Sequence, residues 1–290
     1  MSQRPSVAAV TVVKDESVML PLWLHHYGER LGLDHLVVLD DQSTDGSTEG
    51  IAAEVQQLGG LPGGTDFERG RLKAANQTAR RLLDTFDWVV FTDADEFLVH
   101  DPARHDSLRD LLPSATTPAI GPLALNVVQD LEAEQPLDTT RPILDQRSYG
   151  YFAPNMCKPS TKRRRVSWVV ASHGIRSRFE VRDDLFMLHL KFADLERLKV
   201  TAAHRRGLNA QDGRGGGSWN RDDVAQVFER RMRATDFGAA AEFDPGQVDR
   251  GSLNVQTPSG NAWRTTKMSQ LSSMRDNPVV RIPARLRGLL

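Results

Sequence analysis

The chain has 290 residues and a formal net charge of −1 at pH 7, so its length suggests one or two domains and its charge argues against a dedicated nucleic-acid binder. The single cysteine, Cys157, excludes an intramolecular disulfide framework and a cysteine-based zinc cluster and fits a reducing, cytosolic setting. No apolar run approaches the ~20 residues that span a bilayer, and no signal-peptide core follows Met1. We therefore expect a cytoplasmic protein that meets a membrane only through its surface.

Strands and helices alternate along the first part of the chain. Apolar runs predict the strands, and apolar residues at 3–4-residue spacing indicate the first helix. This order predicts an α/β fold with a mostly parallel, doubly wound, Rossmann-like sheet flanked by helices. In chain order, the predicted elements are a strand at 7–13, a helix at 19–31, a strand at 35–39, helices at 48–58 and 72–86, and a strand from residue 88.

The strand that begins at Trp88 runs directly into the acidic segment Thr92-Asp93-Ala94-Asp95-Glu96. Ligands bind at the carboxyl ends of the strands in open α/β sheets, and closely spaced acids repel one another unless a cation lies between them. Asp93 and Asp95 can direct two oxygens at one divalent metal, and such ligands suit Mg²⁺ or Mn²⁺. The alternative is an acidic, solvated turn that binds nothing.

Acids also follow the two earlier strands. Asp15 and Glu16 follow the first strand, and Asp40 and Asp41 follow the second. The sequence contains neither the G-x-G-x-x-G nor the G-x-x-x-x-G-K-S/T phosphate-binding pattern. We therefore expect a metal at the D-x-D segment, and not a glycine-rich helix start, to hold phosphates.

Three segments together resemble a known family. They are Val-Val-Lys-Asp-Glu at 12–16, Leu-Asp-Asp-Gln-Ser-Thr-Asp-Gly-Ser at 39–47, and Asp-Trp-Val-Val-Phe-Thr-Asp-Ala-Asp-Glu-Phe-Leu at 87–98. In order and spacing they resemble the family 2-like glycosyltransferases, which have the GT-A fold, and are closest to the bacterial subgroup related to the family 92 enzymes. Asp15 departs from the pattern, because the family usually has Asn at this position.

The resemblance implies a nucleotide-sugar donor, with a UDP-sugar favoured. Asp41 takes the place of the acid that contacts the uracil or ribose, although Asp is also common in ordinary turns. A basic residue at the place of Lys73 reaches the diphosphate in similar sequences, and a solvated helix face is the alternative. The other donor-binding candidates are Val13, Asp15, Glu16, Asn76, Asp93 and Lys158.

For the metal, the resemblance implies a histidine late in the chain as a third ligand. His189 is the first choice and His173 the second, and for each the alternative is an ordinary core histidine. An imidazole beside the carboxylates of Asp93 and Asp95 would favour Mn²⁺ over Mg²⁺.

The acceptor hydroxyl needs a base to take its proton. Glu180, Asp183 and Asp184 precede a predicted strand at 185–190 and lie at about the right distance along the chain. Glu96 is a further base candidate unless it holds the metal-site turn. Each of these acids alone can equally be structural.

The resemblance is strong over residues 7–100 and looser over 145–205. It implies a GT-A domain at 1–205, divided into a nucleotide-sugar half at 1–100 and an acceptor half at 101–205, with a helical, loop-rich extension at 206–290. We expect a helix at 194–204 at the end of the GT-A domain, and in the extension a lid-like loop at 213–218 followed by a helix at 222–234.

Basic residues accumulate in the second half of the chain. Residues 158–178 contain seven basic residues and no acid, which suits a phosphorylated donor, an anionic glycan, lipid headgroups or simply a solvated face. Beyond Gly251 the tail carries a net charge of +5. We expect this tail to rest on the inner face of an anionic membrane or on a partner.

The sequence thus favours an inverting, metal-dependent glycosyltransferase that moves a sugar from a nucleotide-diphosphate donor to a hydroxyl of a glycan or lipid-linked glycan. A metal-dependent phosphoryl-transfer enzyme is one alternative, although its D-x-D usually follows the first strand. A non-catalytic nucleotide-sugar or glycan-binding protein is the other.

Overall fold

The computed structural model describes residues 4–215, 224–267 and 269–290. Its strands are β1 (Val7–Val13), β2 (Leu36–Asp40), β3 (Glu54–Gln57), β4 (Trp88–Phe91), β5 (Glu96–His100), β6 (Ala119–Val128), β7 (Tyr149–Phe152), β8 (Thr161–Lys162), β9 (Trp168–Val169), β10 (Gly174–Ile175), β11 (Glu180–Phe192), β12 (Asn254–Gln256), β13 (Trp263–Thr265) and β14 (Val279–Arg281). Its α-helices are α1 (Met19–Leu31), α2 (Phe67–Leu82), α3 (Leu108–Leu111), α4 (Leu195–Asp212), α5 (Val224–Arg233) and α6 (Gln270–Asp276).

The main sheet has the strand order β14-β7-β6-β8-β4-β1-β2-β3, and β11 pairs with both β6 and β5. Strands β5, β7 and β8 run against the others, so most of its strands share one direction. A smaller sheet has the order β12-β13-β10-β9. The α/β fold with a mostly parallel sheet flanked by helices is therefore confirmed.

The strand predicted at 7–13 and the helix predicted at 19–31 have the observed bounds. The buried side chains of α1 include Leu20, Trp23, Tyr27 and Leu31, whose 3–4-residue spacing places them on one face. The helix ends before Gly32, whose φ of 101° lies in the region that glycine adopts without strain.

The helix predicted at 48–58 is wrong. Gly50, inside the predicted helix, takes a positive φ, which does not fit a right-handed helix. Residues 54–57 instead form β3, which pairs in parallel with β2. The backbone hydrogen bonds of this polar segment are thus satisfied by a neighbouring strand that its own sequence does not reveal.

The chain beyond residue 205 contains helices, loops and strands. The predicted helices at 194–204 and 222–234 correspond to α4 and α5, whereas residues 216–218 of the expected lid lie outside the described residues. Strand β14 joins the main sheet beside β7, and Ile282 and Leu286 belong to the same hydrophobic core as β1. The domain division at residue 205 stays a prediction.

Part of the basic tail is built into the fold. Arg285 donates hydrogen bonds to the buried carboxylate of Asp101, and Leu286 is fully buried. Membrane contact through this tail stays a prediction. Among the described residues, none of the helices combines the length and the apolar character that crossing a bilayer requires.

Candidate active site at the carboxyl ends of the strands

The segment after β4 forms a sharp turn that leads into β5. The Glu96 amide donates to the Asp93 carbonyl, and the Asp93 amide donates to Glu96 Oε2 at 3.0 Å. The Leu190 amide of β11 donates to the Asp95 carbonyl. From α1, the indole of Trp23 donates to Thr92 Oγ1 at 2.9 Å. These bonds fix three carboxylates at the edge of the sheet, as the D-x-D pattern predicts.

His189 lies beside this turn because β11 pairs with both β5 and β6. The strand register sets His189 opposite Glu96 on one side and Asn126 on the other. His189 Nδ1 lies 2.5 Å from Asn126 Oδ1, and Nε2 lies 3.3 Å from Asp95 Oδ2. With the Asn126 amide in this orientation, Nδ1 donates to its oxygen, and Nε2 is the ring nitrogen that faces the Asp95 carboxylate.

Asp95, Glu96 and His189 form the ligand group that the described residues offer to a cation, with their ligand atoms within 4.8 Å of one another. His189 Nε2 and the Asp95 carboxylate lie close enough together to be ligands of one divalent cation. Two carboxylates and one imidazole also form a donor set that suits Mn²⁺. The residues present therefore fit a divalent metal.

Asp93 differs from these three residues because it is paired with basic side chains. Arg71 of α2 donates to its Oδ1 at 2.6 Å, and Lys158 Nζ lies 4.0 Å from its Oδ2. Burial alone would raise the pKa of Asp93, but these two cations hold it well below its usual range. Asp93 does not belong to the group of Asp95, Glu96 and His189, and its role as a metal ligand stays a prediction.

Lys158 is a buried cation beneath the turn. Its Nζ lies 2.7 Å from Glu96 Oε1, and it also donates to Ser172 Oγ at 3.3 Å. Burial would lower the pKa of Lys158, but the charge of Glu96 raises it, while burial raises the pKa of Glu96. Gly121 allows this arrangement, because a Cβ there would lie 2.6 Å from the Lys158 carbonyl oxygen.

An open cleft lies above the turn, at the ends of β1, β2 and β4. Of the donor-binding candidates, Val13, Glu16, Asp41 and Asp93 line it. Burial and the charge of Asp95 raise the pKa of Glu16. The lysines and arginines that line the cleft are Lys14, Arg71, Lys191, Arg197, Arg205 and Arg214.

The carboxylate of Asp41 is already hydrogen-bonded to other residues of the protein. Its Oδ2 accepts from Arg214 Nη1 at 2.8 Å and its Oδ1 from the Leu61 amide at 2.6 Å. Arg214 follows the end of α4, and its guanidinium lies 5.1 Å from the centroid of the Phe67 ring. The part of the cleft that is predicted to hold the nucleoside, beside Asp41, is thus formed where α2 and the end of α4 meet the end of β2.

The remaining donor-binding candidates do not line the cleft. Asp15 accepts from the Thr44 amide at 2.6 Å, and Lys73 is exposed on α2. Asn76 holds the backbone of Trp168 through both a donated and an accepted hydrogen bond. These contacts give Asp15 and Asn76 a local structural role.

His173 lies near Lys158, whose charge helps to lower its pKa. Its Nδ1 bonds to the Asn155 carbonyl at 2.7 Å, and burial is the main cause that lowers its pKa to about 4. It does not belong to the ligand group of Asp95, and its role as a metal ligand stays a prediction.

Three of the four predicted bases lie at the beginning of β11, whereas His189 lies near its end. Asp184 is fully buried and bonds to Arg182 and His105, and Asp183 pairs with Arg104 at 2.8 Å. Glu180 accepts from the amide and the hydroxyl of Thr116. Five residues of strand separate Asp184 from His189, or roughly 16 Å. The structure therefore brings only Glu96 of the four candidates to the site.

The cleft-lining arginines were not predicted from the sequence. Arg197 and Arg205 lie eight residues apart on one face of α4, a spacing that is visible in the sequence. The sequence does not reveal that this face of α4 lies over the ends of β1 and β4. The basic strip at 158–178 is likewise partly internal, since Lys158 and Lys162 are buried.

No known family model matches the sequence, and no curated protein matches it either. Among solved structures, the mannosyltransferase PcManGT from Pyrobaculum calidifontis, in complex with GDP-Man and Mn²⁺, is 24% identical with a TM-score of 0.29, covering 45% of this chain and 38% of that one. S. aureus TarS 1–349 is 13% identical with a TM-score of 0.38, covering 70% of this chain and 66% of that one.

A third match is the mannose-1-phosphate geranyltransferase from Thermus thermophilus, which is 10% identical with a TM-score of 0.30, covering 96% of this chain and 73% of that one. This chain therefore spans less than two thirds of the length of the mannosyltransferase and of the TarS fragment.

Proposed function

We propose that this chain is a GT-A glycosyltransferase that takes its sugar from a nucleotide-diphosphate donor. The observation that carries the proposal is the composition of the cleft. The group of Asp95, Glu96 and His189 lies at the strand ends, and basic side chains line the same cleft. When the sugar is transferred, the nucleoside diphosphate is the leaving group; it leaves readily only when its negative charge is stabilised, and this cleft supplies groups that can do so.

The residues of the chain have separable roles in this proposal. Arg71 and Lys158 compensate Asp93 and Glu96, so the turn keeps its shape when a charged donor enters. Asp95 and His189, with Glu96 beside them, would hold a divalent cation, which when bound stabilises the negative charge of the leaving diphosphate.

The nucleoside end is assigned to the part of the cleft beside Asp41 and Arg214. Both residues line the cleft and are bonded to each other. A ribose or base at this place would share the hydrogen-bonding capacity of the Asp41 carboxylate with Arg214. The diphosphate then extends from this pair toward Asp95.

The finer parts of the proposal rest on the resemblance of residues 7–100 to the family 2-like glycosyltransferases. They are an inverting reaction, a UDP-sugar as donor, a glycan or lipid-linked hydroxyl as acceptor, and a cytoplasmic site of action. Metal dependence has the separate support of the ligand group at Asp95.

Calorimetric titration of UDP and of GDP, each with and without Mn²⁺, tests the proposal. We expect one nucleotide to bind more tightly with Mn²⁺, and Asp95→Ala to lose this enhancement. Asp45→Ala is the matched control, because Asp45 is exposed and bonds only locally to the Ser47 amide. Folded protein that binds neither nucleotide under any condition would refute the proposal.

A further inference from the structure

One face of α4 forms the wall of the cleft that lies opposite the strand ends. Arg197, Thr201, His204, Arg205 and Leu208 all line the cleft. Their spacing of 4, 7, 8 and 11 residues from Arg197 is that of one helical face. The side of α4 that carries Arg206 is exposed and does not line the cleft.

The arginines of this face are close enough to the acids of the cleft to act on them electrostatically. The charge of Arg205 lowers the pKa of Asp95, although less than His189 does and against the effect of burial. Arg197 and Arg205 likewise oppose the rise that burial imposes on the pKa of Glu16. Arg197 and Arg205 also line the same cleft as Glu16 and Asp95, so the two arginines and the strand-end carboxylates border one space.

The guanidinium of Arg197 has an unused hydrogen-bond donor. Its Nε is buried and has no hydrogen-bond partner among the described residues. Burial also lowers the pKa of Arg197, and the neighbouring charge of Glu16 only partly offsets this. A buried guanidinium N–H without an acceptor is uncommon in proteins. Because Arg197 lines the cleft, a rotation of its side chain toward an anionic ligand there would supply the acceptor.

The wall is long enough for a nucleoside diphosphate to lie along it. Eight residues separate Arg197 from Arg205, or roughly 12 Å along the helix axis. Beyond Arg205, the helix leads to Arg214, which bonds to Asp41. A nucleoside diphosphate lying along α4 would have its nucleoside beside Arg214 and its phosphates between Arg205 and Arg197.

We propose that Arg197 and Arg205 bind the diphosphate of the donor from the side opposite the strand ends. The proposal rests on the proposed function, because it assigns the phosphate contacts of the same cleft. The donor is therefore held between two walls, the acid and histidine group at the strand ends and the two arginines of α4. Part of its affinity comes from the arginines and needs no metal, since charge-assisted hydrogen bonds to phosphate are strong.

The test compares Arg197→Gln, Arg205→Gln and the matched control Arg206→Gln by calorimetric titration. The probes are UDP, GDP, UMP and GMP, each with EDTA and with Mn²⁺. For the nucleotide that the wild type binds, we expect each cleft variant to weaken binding of the diphosphate in EDTA by roughly tenfold or more. We expect a smaller change for the matching monophosphate, and no change for Arg206→Gln.

The two proposals fail in different ways. If the wild type binds no nucleotide, the proposed function fails and this inference fails with it. If the wild type binds a diphosphate and both cleft variants bind it equally well in EDTA, only the assignment of α4 is refuted. Equal losses for diphosphate and monophosphate would also refute it, because they would indicate a general disturbance of the cleft. Circular dichroism and thermal unfolding of each variant verify that it is folded.

Discussion

Removing the ammonium group of Lys158 should leave the buried carboxylate of Glu96 without its main counter-charge. The side chains of Lys158 and Glu96 are only 2% and 1% exposed, and their charged atoms lie 2.7 Å apart. Breaking one partner of such a buried pair costs about 3–5 kcal/mol of unfolding free energy. We expect Lys158→Met to lose an amount in this range, since methionine keeps most of the apolar stem and removes the charge.

A double-mutant cycle isolates the ion pair from other effects of the substitution. Urea unfolding is measured for the wild type, Lys158→Met, Glu96→Gln and the double variant. We expect the double variant to be more stable than Lys158→Met, because a neutral glutamine does not need the ammonium. Lys73→Met on the exposed face of α2 is the control and should change stability by about 0.5 kcal/mol or less. A loss below about 1 kcal/mol for Lys158→Met, or strictly additive losses in the double variant, would refute the reasoning.

Three further predictions concern side chains that are buried. Burial raises the pKa of Asp184, but hydrogen bonds from Arg182 and His105 outweigh this effect and lower the pKa to about 2 from 3.8. Asp184→Asn should therefore reduce the free energy of unfolding by about 2 kcal/mol at neutral pH. In chemical unfolding this difference from wild type should vanish as the pH falls from about 4 to 2, and a difference that stays constant would contradict the prediction. Burial raises the pKa of Cys157 to about 12, so Ellman's reagent at pH 8 should label it only after unfolding. Arg214→Gln should lower unfolding free energy by roughly 2 kcal/mol or more, because it leaves the Asp41 carboxylate partly unpaired, and Asp41→Asn in the same chain should restore part of that loss in thermal unfolding.

The parts of the fold that were predicted correctly depend on local patterns. A run of apolar residues specifies β1, and 3–4-residue spacing with a terminal glycine specifies α1, without knowledge of their partners. Strand β3 differs, because its residues are polar and only its hydrogen bonds to β2 make it a strand. Its identity is a property of the sheet, which a short stretch of sequence does not contain.

In the candidate site, too, only the features that depend on local sequence patterns or on the family resemblance were predicted. The turn from Asp93 to Glu96 follows from an apolar strand that runs into acids, and His189 was chosen through the family resemblance. That His189 lies beside Asp95, and that Asp93 is compensated by Arg71, depends on the register of β11 and the packing of α2. These are contacts between residues far apart in the chain, and the pattern around each residue does not specify them.

Strand direction explains where Asp183 and Asp184 lie. Since β11 runs parallel to β6, and β6 has the same direction as β4, residues near the end of β11 lie at the same edge of the sheet as the turn after β4. Residues at the beginning of β11 therefore lie at the opposite edge. Distance along the chain made Asp184 a candidate base, but the direction of the strand decides which acids can reach the cleft. A strand that ran the opposite way would have brought Asp184 to the cleft and removed His189 from it.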